Sequence, residues 1–338
     1  MKMGYIFTVV KDKIYWIFLF SFFLFLSCSD ENNEDEDNMN NVIASFQKKY
    51  EAAIEKDIFA YFTDPHLLNG ENRFSDNDRS ELIKAIKPMQ EIYNHLPQGF
   101  CLCGGDWLNQ GDTQEVAKQK LLYADSQMKN MFSRYYKMMG NHDTNYQGVV
   151  SSDDSSRGDF SRDFIDKEYF QETGSAYYSF KTGKTKFFIL DSGLDWSPEM
   201  DEYKWEQVFW LAEQLQTNDS EHNVLGIHMF YGVNEITPMS ELLVALCDAY
   251  NYNHGITLQE VNYDYSKAKG KIHFILSGHS HKDSLSYEGK AGRLPVIQTC
   301  NYTVKGTKSF DLCLMNYDDN VLHMTRIGQG DSRTILFY

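Results

Sequence analysis

Basic residues are scarce in this sequence. The 338 residues contain 32 Lys and Arg against 48 Asp and Glu, which gives a formal net charge of -16 at pH 7. A chain with this balance repels the phosphates of nucleic acids, and its Lys and Arg residues do not gather into a basic stripe. The composition therefore argues against a nuclease or another nucleic-acid-binding protein.

Cysteine is also scarce, with six residues and none of the CxxC spacing that is typical of zinc sites. Five of these cysteines are interpreted as small core residues: Cys101, Cys103, Cys247, Cys300 and Cys313. Cys101 and Cys103 lie two positions apart on an apolar stretch, so they cannot readily bridge each other. An oxidising compartment would permit one long-range disulfide, whose partners the sequence leaves open.

Long apolar runs are limited to residues 14–26, which are too few to span a bilayer comfortably. The run follows Lys2, Lys11 and Lys13, and its length is typical of the hydrophobic core of a signal peptide. We interpret residues 1–27 as an export signal that is removed. An uncleaved membrane anchor is the alternative.

The apolar run ends in Leu26-Ser27-Cys28, which resembles a bacterial lipobox, and this resemblance implies that Cys28 carries a lipid anchor. Residues 29–38 are acidic and polar, so residues 28–41 are expected to form a disordered tether. An acidic run at this place resembles the surface-export signal of Bacteroidetes lipoproteins. It implies an outer-membrane lipoprotein of the cell envelope, held to the membrane through the lipid alone, and leaves the periplasmic or outer side open.

Hydrophobic residues make up 42% of the chain and aromatic residues 15%, which excludes global disorder. Strands are predicted at residues 58–63, 99–103 and 135–139, and helices at residues 76–95 and 113–132. This alternation implies a parallel sheet covered by helices, in which ligands bind beyond the carboxyl ends of the strands.

Five clusters of metal-compatible residues follow predicted strands, the last two after residues 224–227 and 272–276. The clusters are Asp64-Pro65-His66, Gly104-Gly105-Asp106-Trp107-Leu108-Asn109, Gly140-Asn141-His142-Asp143, the single His228, and Gly278-His279-Ser280-His281. Each cluster by itself is compatible with a plain turn, a surface loop or a core histidine. Their ordered combination is far more specific.

The ordered set resembles the calcineurin-like metallophosphoesterase superfamily, whose pattern is DxH, GDxx(D/N), GNH(D/E), a lone H and GHxH. The similarity covers residues 58–324. It implies an α/β fold, a four-layer αββα sandwich of two mixed β-sheets flanked by helices, with a two-metal centre at the strand ends. Residues 42–338 would then form a single domain.

The resemblance also implies the ligand set. Asp64, His66 and His281 would bind the first metal, Asn141, His228 and His279 would bind the second, and Asp106 would bridge the two. Ligation by nitrogen and oxygen without cysteine suits two divalent ions of Mn, Fe, Zn or Mg. Such a pair neutralises charge on a phosphoryl group and generates hydroxide near neutral pH.

His142 would stabilise or protonate the leaving oxygen in this scheme. A general acid needs a pKa close to the working pH. The protein-phosphatase branch has an Asp at the position of Asn109 to support this imidazole, so Asn109 and Asp143 are predicted as weaker supporting or substrate-contacting residues. Asn109 also replaces the Tyr of purple acid phosphatases, and Gln110 replaces an Arg of the serine/threonine phosphatases, so neither branch fits well.

The expected function is therefore the hydrolysis of phosphate mono- or diesters of a small molecule, such as a nucleotide, a phospho-sugar or a lipid headgroup, by metal-bound hydroxide. One alternative is a non-catalytic surface lipoprotein that keeps the fold to bind a ligand. Another is a hydrolase with a non-phosphate substrate. The sequence does not determine the oligomeric state.

Two further segments have two interpretations each. Residues 145–164 form a long polar stretch that is either a substrate-shaping lid, in which Arg157 and Arg162 meet a phosphate, or a solvated loop. Residues 230–265 are rich in Tyr, and their rings either stack on a ligand or cover the helix layer.

Overall fold

A computed structural model describes residues 33–68, 72–94, 99–109, 111–145, 160–192, 200–232, 236–303 and 308–337, with the side chains described from residue 40. The chain divides into two compact units, residues 1–43 and residues 44–338. The described helices are α1 Asn33–Ala52, α2 Asp76–Tyr93, α3 Gln114–Met131, α4 Glu202–Gln216 and α5 Pro238–Asn251, with shorter helical turns at His142–Thr144, Arg162–Phe164 and Ile165–Tyr169.

The described strands are β1 Lys56–Phe62, β2 Phe100–Cys103, β3 Tyr135–Lys137, β4 Tyr178–Thr182, β5 Thr185–Leu190, β6 His222–Ile227, β7 Gly255–Leu258, β8 Val261–Asp264, β9 Lys271–Ser277, β10 Ser284–Glu288, β11 Leu294–Gln298, β12 Phe310–Asn316, β13 Val321–Ile327 and β14 Arg333–Leu336. The first three predicted strands correspond to β1, β2 and β3 within two residues at each end. The two predicted helices correspond to α2 and α3.

Helix α1 corrects one expectation. Residues 33 to 41 are helical, whereas the sequence predicts a disordered tether over residues 28–41. The physical reason is that Phe46 on the same helix is buried, and once one turn of a helix is packed each further residue extends it at little cost. Residues 1–27 and Cys28 lie outside the described residues, so the export signal and the lipid anchor stay predictions.

Helix α2 begins where its sequence signal indicates. The Ser75 hydroxyl accepts a hydrogen bond from the Asp78 N–H at 3.3 Å, and the Asp78 carboxylate accepts one from the Ser75 N–H at 2.8 Å. This reciprocal pair is a capping box, which satisfies two backbone donors at the start of the helix.

The larger strands form two mixed sheets. The first sheet has the order β14-β13-β12-β1-β2-β3, in which β1, β2 and β3 are parallel. The second has the order β10-β11-β9-β6-β5-β4, in which β5, β6, β9 and β11 are parallel. Strands β7 and β8 form a separate hairpin.

The two sheets pack face to face. Phe59 in β1 lies edge-on against Phe187 in β5, with ring centroids 5.6 Å apart. On the opposite face of β1, Phe62 contacts Tyr302, whose hydroxyl donates to the carbonyl oxygen of Ala85 in α2 at 2.6 Å. Strand β1 is therefore covered on both faces, which explains why its buried residues, Ile58 to Phe62, are apolar.

The second sheet has a helix layer of its own. A buried apolar cluster joins Phe188 in β5, Leu225 in β6 and Ile275 in β9 to Leu211 in α4 and Leu243 in α5. Helix, sheet, sheet and helix thus follow one another, which confirms the predicted four-layer αββα sandwich. Among the described helices, none has the length and apolar character that crossing a bilayer requires.

The Tyr-rich segment 230–265 belongs to this core. It contains α5 and the β7–β8 hairpin, neither of which the sequence predicts, and the rings of Phe230, Tyr250, Tyr263 and Tyr265 are buried. The interpretation as cover for the helix layer is confirmed for these four rings, and the stacking interpretation is wrong for them. The five cysteines from Cys101 onward are also buried, and none forms a disulfide.

Candidate metal centre

The carboxyl ends of parallel strands from both sheets meet at one edge of the sandwich. Strands β1, β2 and β3 are followed by Asp64 and His66, by Asp106 and by Asn141, while β6 is followed by His228 and β9 by His279 and His281. All seven predicted metal ligands are thereby brought to one place. Their role as metal ligands stays a prediction.

One group of ligand atoms comes from Asp64, His66, Asp106 and His281, and these atoms lie within 4.8 Å of one another. The Nε2 atoms of His66 and His281 are 3.0 Å apart, and His281 Nε2 is 3.2 Å from Asp64 Oδ1. Two imidazole nitrogens and a carboxylate oxygen at this separation form a donor set for a divalent cation.

A second group comes from Asp106, His228 and His279, and its ligand atoms also lie within 4.8 Å of one another. Asn141 joins this group, because its side-chain oxygen is 2.9 Å from His279 Nδ1. Asp106 belongs to both groups. Its Oδ2 atom lies 3.7 Å from His66 Nε2 and 3.1 Å from His228 Nε2, so the carboxylate lies between the two groups, as a bridging ligand requires.

Backbone carbonyls orient two of the imidazoles. His66 Nδ1 lies 2.9 Å from the carbonyl oxygen of Leu108, and His228 Nδ1 lies 2.6 Å from that of Gly104. A carbonyl oxygen can only accept, so each Nδ1 carries the proton. Each Nε2 is then left with a lone pair directed into the centre, which is the arrangement found in histidine ligands of metals.

Two of the buried ligand atoms that lack a hydrogen-bond partner among the described residues face each other in the centre. They are Asp106 Oδ2 and His228 Nε2, which lie only 3.1 Å apart. Leaving such atoms buried and unsatisfied costs about 1–3 kcal/mol each. A bound cation would satisfy both, so the residues present fit a pair of divalent metal ions.

The electrostatics also favour a cation. Burial alone would raise the pKa of Asp106, but the imidazoles of His228 and His142 hold it well below its usual range. Burial alone would lower the pKa of His228, but the carboxylates of Asp106 and Asp64 raise it to about 10. The raised pKa of His228 shows that the two carboxylates favour positive charge at this place.

The backbone at the ligands is unusual. Asp64, His66, Asp106, His279 and His281 all have positive φ angles, a region that residues other than glycine rarely adopt. Such conformations cost on the order of 1–3 kcal/mol each and persist only where the surroundings hold them. The strand ends are thus held in turns that direct these side chains inward.

Gly140 lies so close to Asp106 that a larger residue would not fit at this position. A Cβ atom on Gly140 would collide with the carboxylate and the backbone nitrogen of Asp106. Any side chain at this position would push the bridging carboxylate out of the centre, which explains why the cluster begins with glycine.

Asp143 lies beneath the loop that carries Asp106. Its carboxylate accepts hydrogen bonds from the backbone N–H groups of Asp106 at 2.8 Å, Trp107 at 2.7 Å and Leu108 at 3.2 Å. The side chain is fully buried and anchors the loop that carries Asp106. Asp143 is therefore a support for the bridging ligand, and its position beneath the loop is not that of a substrate contact.

Asn109 also supports a ligand. Its side-chain N–H donates to the carbonyl oxygen of His66 at 2.9 Å, and its backbone N–H donates to that of Leu68 at 3.1 Å. These contacts tie the loop after β2 to the loop after β1. The sequence predicts a supporting role for Asn109, but it directs that role to His142, whereas these contacts hold His66.

His142 lies at the rim of the centre. Its ring is 4.8 Å from the His66 ring, and its backbone N–H donates to Asp106 Oδ1 at 2.8 Å. Its Nδ1 atom is buried and has no hydrogen-bond partner among the described residues. Burial lowers the pKa of His142, and the Asp106 carboxylate offsets this in part. A negatively charged substrate beside the ring would raise this pKa again.

Arg162 does not act as the free phosphate contact that the sequence allows. Its guanidinium donates to both carboxylate oxygens of Asp166, at 2.7 and 2.9 Å, and to Asp191 at 3.0 Å. The charge is thus already paired within the protein. Arg157 lies outside the described residues.

Sequence reasoning misses several supports of the centre. The Thr63 hydroxyl donates to Asp64 at 2.6 Å, and the carbonyl groups of Gly104 and Leu108 fix imidazole tautomers. Backbone carbonyls carry no sequence signature, so no pattern could have revealed them. A Thr before the first ligand is a weak signal at best.

Comparison with known proteins finds a family whose match includes the same five clusters. A family model described as calcineurin-like phosphoesterase matches residues 59–283, which include all five clusters. The sequence has no significant match among the curated proteins.

Solved structures include similar folds. A dimetal phosphatase from Danio rerio is 12% identical, with a TM-score of 0.54 over 85% of this chain and 100% of that chain. The NAD nucleotidase of Haemophilus influenzae is 13% identical, with a TM-score of 0.38 over 83% of this chain and 56% of that chain. At these identities the first similarity shows the fold alone, and the second is too low to carry an argument.

Proposed function

Because the chain belongs to the calcineurin-like phosphoesterase family, we propose that it is a two-metal hydrolase of phosphate mono- or diesters of a small molecule, such as a nucleotide, a phospho-sugar or a lipid headgroup. The observation that carries the proposal is the position of Asp106, whose carboxylate belongs to both groups of converging ligand atoms. A shared carboxylate between two donor sets is what a two-metal phosphoesterase needs.

The ligand groups define where the cations would bind. Asp64, His66 and His281 would hold one, Asn141, His228 and His279 would hold the other, and Asp106 would contact both. When bound, divalent cations neutralise negative charge on a phosphoryl group and lower the pKa of coordinated water.

The protein's own residues then have separate tasks. Asp143 and Asn109 hold the two ligand loops, so that the donor atoms keep their positions without rearrangement. His142, at the rim, stabilises the leaving oxygen and gives it a proton. Positioning of this kind contributes to catalysis because the reacting groups are held in place before the reaction begins.

The acidic composition limits the substrate. A net charge of -16 disfavours long polyanions, so a small phosphorylated molecule is the proposed substrate and nucleic acid is not. The rival function is a surface lipoprotein that binds a ligand without turnover. The convergence of seven metal-type side chains favours the enzyme, since simple binding needs no second metal site.

The assay that tests this function uses the full-length protein with Mn²⁺ on three chromogenic compounds: p-nitrophenyl phosphate, bis(p-nitrophenyl) phosphate and p-nitrophenyl acetate. We expect hydrolysis of at least one phosphate ester, its loss on addition of a chelator and its return on addition of excess Mn²⁺. If the protein binds Mn²⁺ but cleaves neither phosphate ester over a range of pH, the binding lipoprotein becomes the better account. Cleavage of the acetate alone would indicate a non-phosphate substrate.

We also propose that the protein is a lipoprotein of the cell envelope, anchored through Cys28 after removal of residues 1–27. The short apolar run and the Leu26-Ser27-Cys28 sequence support this. Cys28→Ala should release the protein from the membrane fraction in the native host, because the proposed lipid anchor would be lost. The wild type found in the soluble fraction would contradict the proposal, and protection of the wild type from protease added to intact cells would contradict display on the outer surface.

A further inference from the structure

The two ligand groups differ in how their histidines are held. His228 is fully buried, with a side-chain exposure of 0%, and packing together with the Gly104 carbonyl fixes its ring. The His281 side chain is 45% exposed, and its Nε2 lies against two other ligands of its group, 3.2 Å from Asp64 Oδ1 and 3.0 Å from His66 Nε2. With this exposure, its position depends also on the turn between β9 and β10, in which His279 and His281 both have positive φ angles.

The front of this turn is held by Asp64. Its two carboxylate oxygens accept the backbone N–H of His279 at 3.1 and 3.0 Å. This contact fixes His279, at the start of the turn. It does not extend to Lys282 and Asp283, the two residues that follow His281.

The rear of the turn is held from the other sheet. Asp283 lies two residues after His281, and Arg326 in β13 donates to it through both terminal nitrogens, at 3.0 and 2.8 Å. The Asp283 carboxylate also accepts the backbone N–H of Cys300 at 3.0 Å. A bidentate contact between guanidinium and carboxylate fixes orientation as well as distance.

Arg326 is itself firmly placed. Its side chain is 1% exposed, and it donates to both carboxylate oxygens of Asp311, its cross-strand neighbour in β12, at 2.9 and 3.0 Å. Arg333 in β14 lies 3.7 Å from both Asp283 and Asp311. Two arginines and two aspartates thus form a cluster without net charge, in which Arg326 and Asp311 are buried while the side chains of Arg333 and Asp283 are 14% and 28% exposed.

We propose that Arg326 is a positioning residue that acts through Asp283, holding the turn that carries His281 so that the first metal site, formed by Asp64, His66 and His281, keeps its affinity. The second site does not depend on this clamp, because His228 is held by packing and His279 by Asp64. This inference rests on the two-metal centre proposed above.

The test measures metal binding without catalysis. Full-length apo-protein is titrated with Mn²⁺ by calorimetry, and the variant His281→Ala identifies the binding step that belongs to the first site. Asp283→Asn keeps the size of the side chain but removes the negative charge that pairs with Arg326. We expect it to weaken that step by about 10–100-fold, the usual range for a residue that orients a ligand, and to leave the other step near the wild-type value.

A second variant keeps the charge and changes the geometry. Arg326→Lys replaces a planar fork by a single ammonium group, which cannot hold two carboxylates bidentately. We expect it to weaken the same step by a smaller factor than Asp283→Asn.

Asp57→Asn is the matched control. Asp57 is also a carboxylate that joins the two sheets, since it accepts the backbone N–H of Lys184 at 2.9 Å and the Tyr317 hydroxyl at 2.6 Å. It lies at the start of β1, at the edge opposite the metal centre. We expect this variant to melt at a lower temperature than the wild type but to bind Mn²⁺ normally.

The outcomes separate the possible failures. Normal Mn²⁺ binding by Asp283→Asn would overturn the positioning role of Arg326 and leave the proposed function standing. The positioning role would also be overturned if Asp283→Asn and Asp57→Asn both weakened the two binding steps to the same extent, because the effect would then be general destabilisation. Absence of any Mn²⁺ binding by the wild type would overturn the two-metal centre and the inference together.

Discussion

Asp106→Ala is expected to reduce phosphoester hydrolysis by at least about 10²–10³-fold, the loss typical of removing one electrostatic stabiliser of a transition state. The physical reason is its shared position, since its carboxylate belongs to both ligand groups. Oδ1 accepts the His142 N–H at 2.8 Å, and Oδ2 faces His228 Nε2 at 3.1 Å. Removal therefore weakens both metal sites and releases the loop that carries His142.

Two measurements check this prediction. The first is the metal content of the purified variant by mass spectrometry, which should fall well below that of the wild type. The second is the rate of hydrolysis of the preferred chromogenic ester with Mn²⁺ in excess, which should stay low because the bridging ligand is missing.

Asp112→Ala is the matched control for the loss of a buried carboxylate. Asp112 lies in the same loop region, is 1% exposed and is paired with Lys120 at 2.8 Å, but it belongs to neither ligand group. We expect this variant to be less stable than the wild type, because breaking a buried pair costs about 3–5 kcal/mol, while its folded fraction still binds metal. Full activity of Asp106→Ala would show that the centre needs no bridging carboxylate and would refute the proposed chemistry.

His142→Ala is expected to lower kcat by about 10²–10⁴-fold, the usual contribution of a general acid, while the metal content stays near that of the wild type. The ring lies 4.8 Å from the His66 ring, at the rim of the centre, and only the backbone N–H of His142 contacts Asp106. Loss of the ring therefore removes a proton donor without removing a ligand.

The leaving group provides a sharper test of this role. An alkyl alkoxide needs a proton far more than p-nitrophenolate does, so the loss in His142→Ala should be larger for an alkyl phosphate than for a p-nitrophenyl phosphate. His323→Ala is the control, because His323 lies in β13, away from the centre, and this variant should behave as the wild type. If metal content falls together with activity in His142→Ala, His142 is structural and the acid must be sought elsewhere.

The ligand clusters could be recognised from the sequence because each lies directly after an apolar strand. The parallel order of β1, β2 and β3 brings their carboxyl ends, and the clusters that follow them, to one edge of the sheet. These are local properties of short segments. They need no knowledge of which distant residues touch.

The roles of the supporting residues could not be recognised in this way. Asp143 and Asn109 follow strands as the ligands do, yet Asp143 accepts hydrogen bonds from four backbone N–H groups and Asn109 donates to the carbonyl of His66. Whether a carboxylate or an amide points into the centre or beneath a loop depends on the path of that loop, which the residue types do not specify.

The sequence by itself determined the alternation of strands and helices, the set of seven metal-type side chains and the acidic character of the protein, because periodicity, residue type and charge are properties of the chain. Tertiary structure alone decided which residues hold that set in place. Asp64 meets His279 across 215 positions and Arg326 meets Asp283 across 43, and such pairs form only when two sheets pack against each other. The donor atoms are supplied locally, whereas their geometry is fixed by contacts between segments that are far apart in the chain.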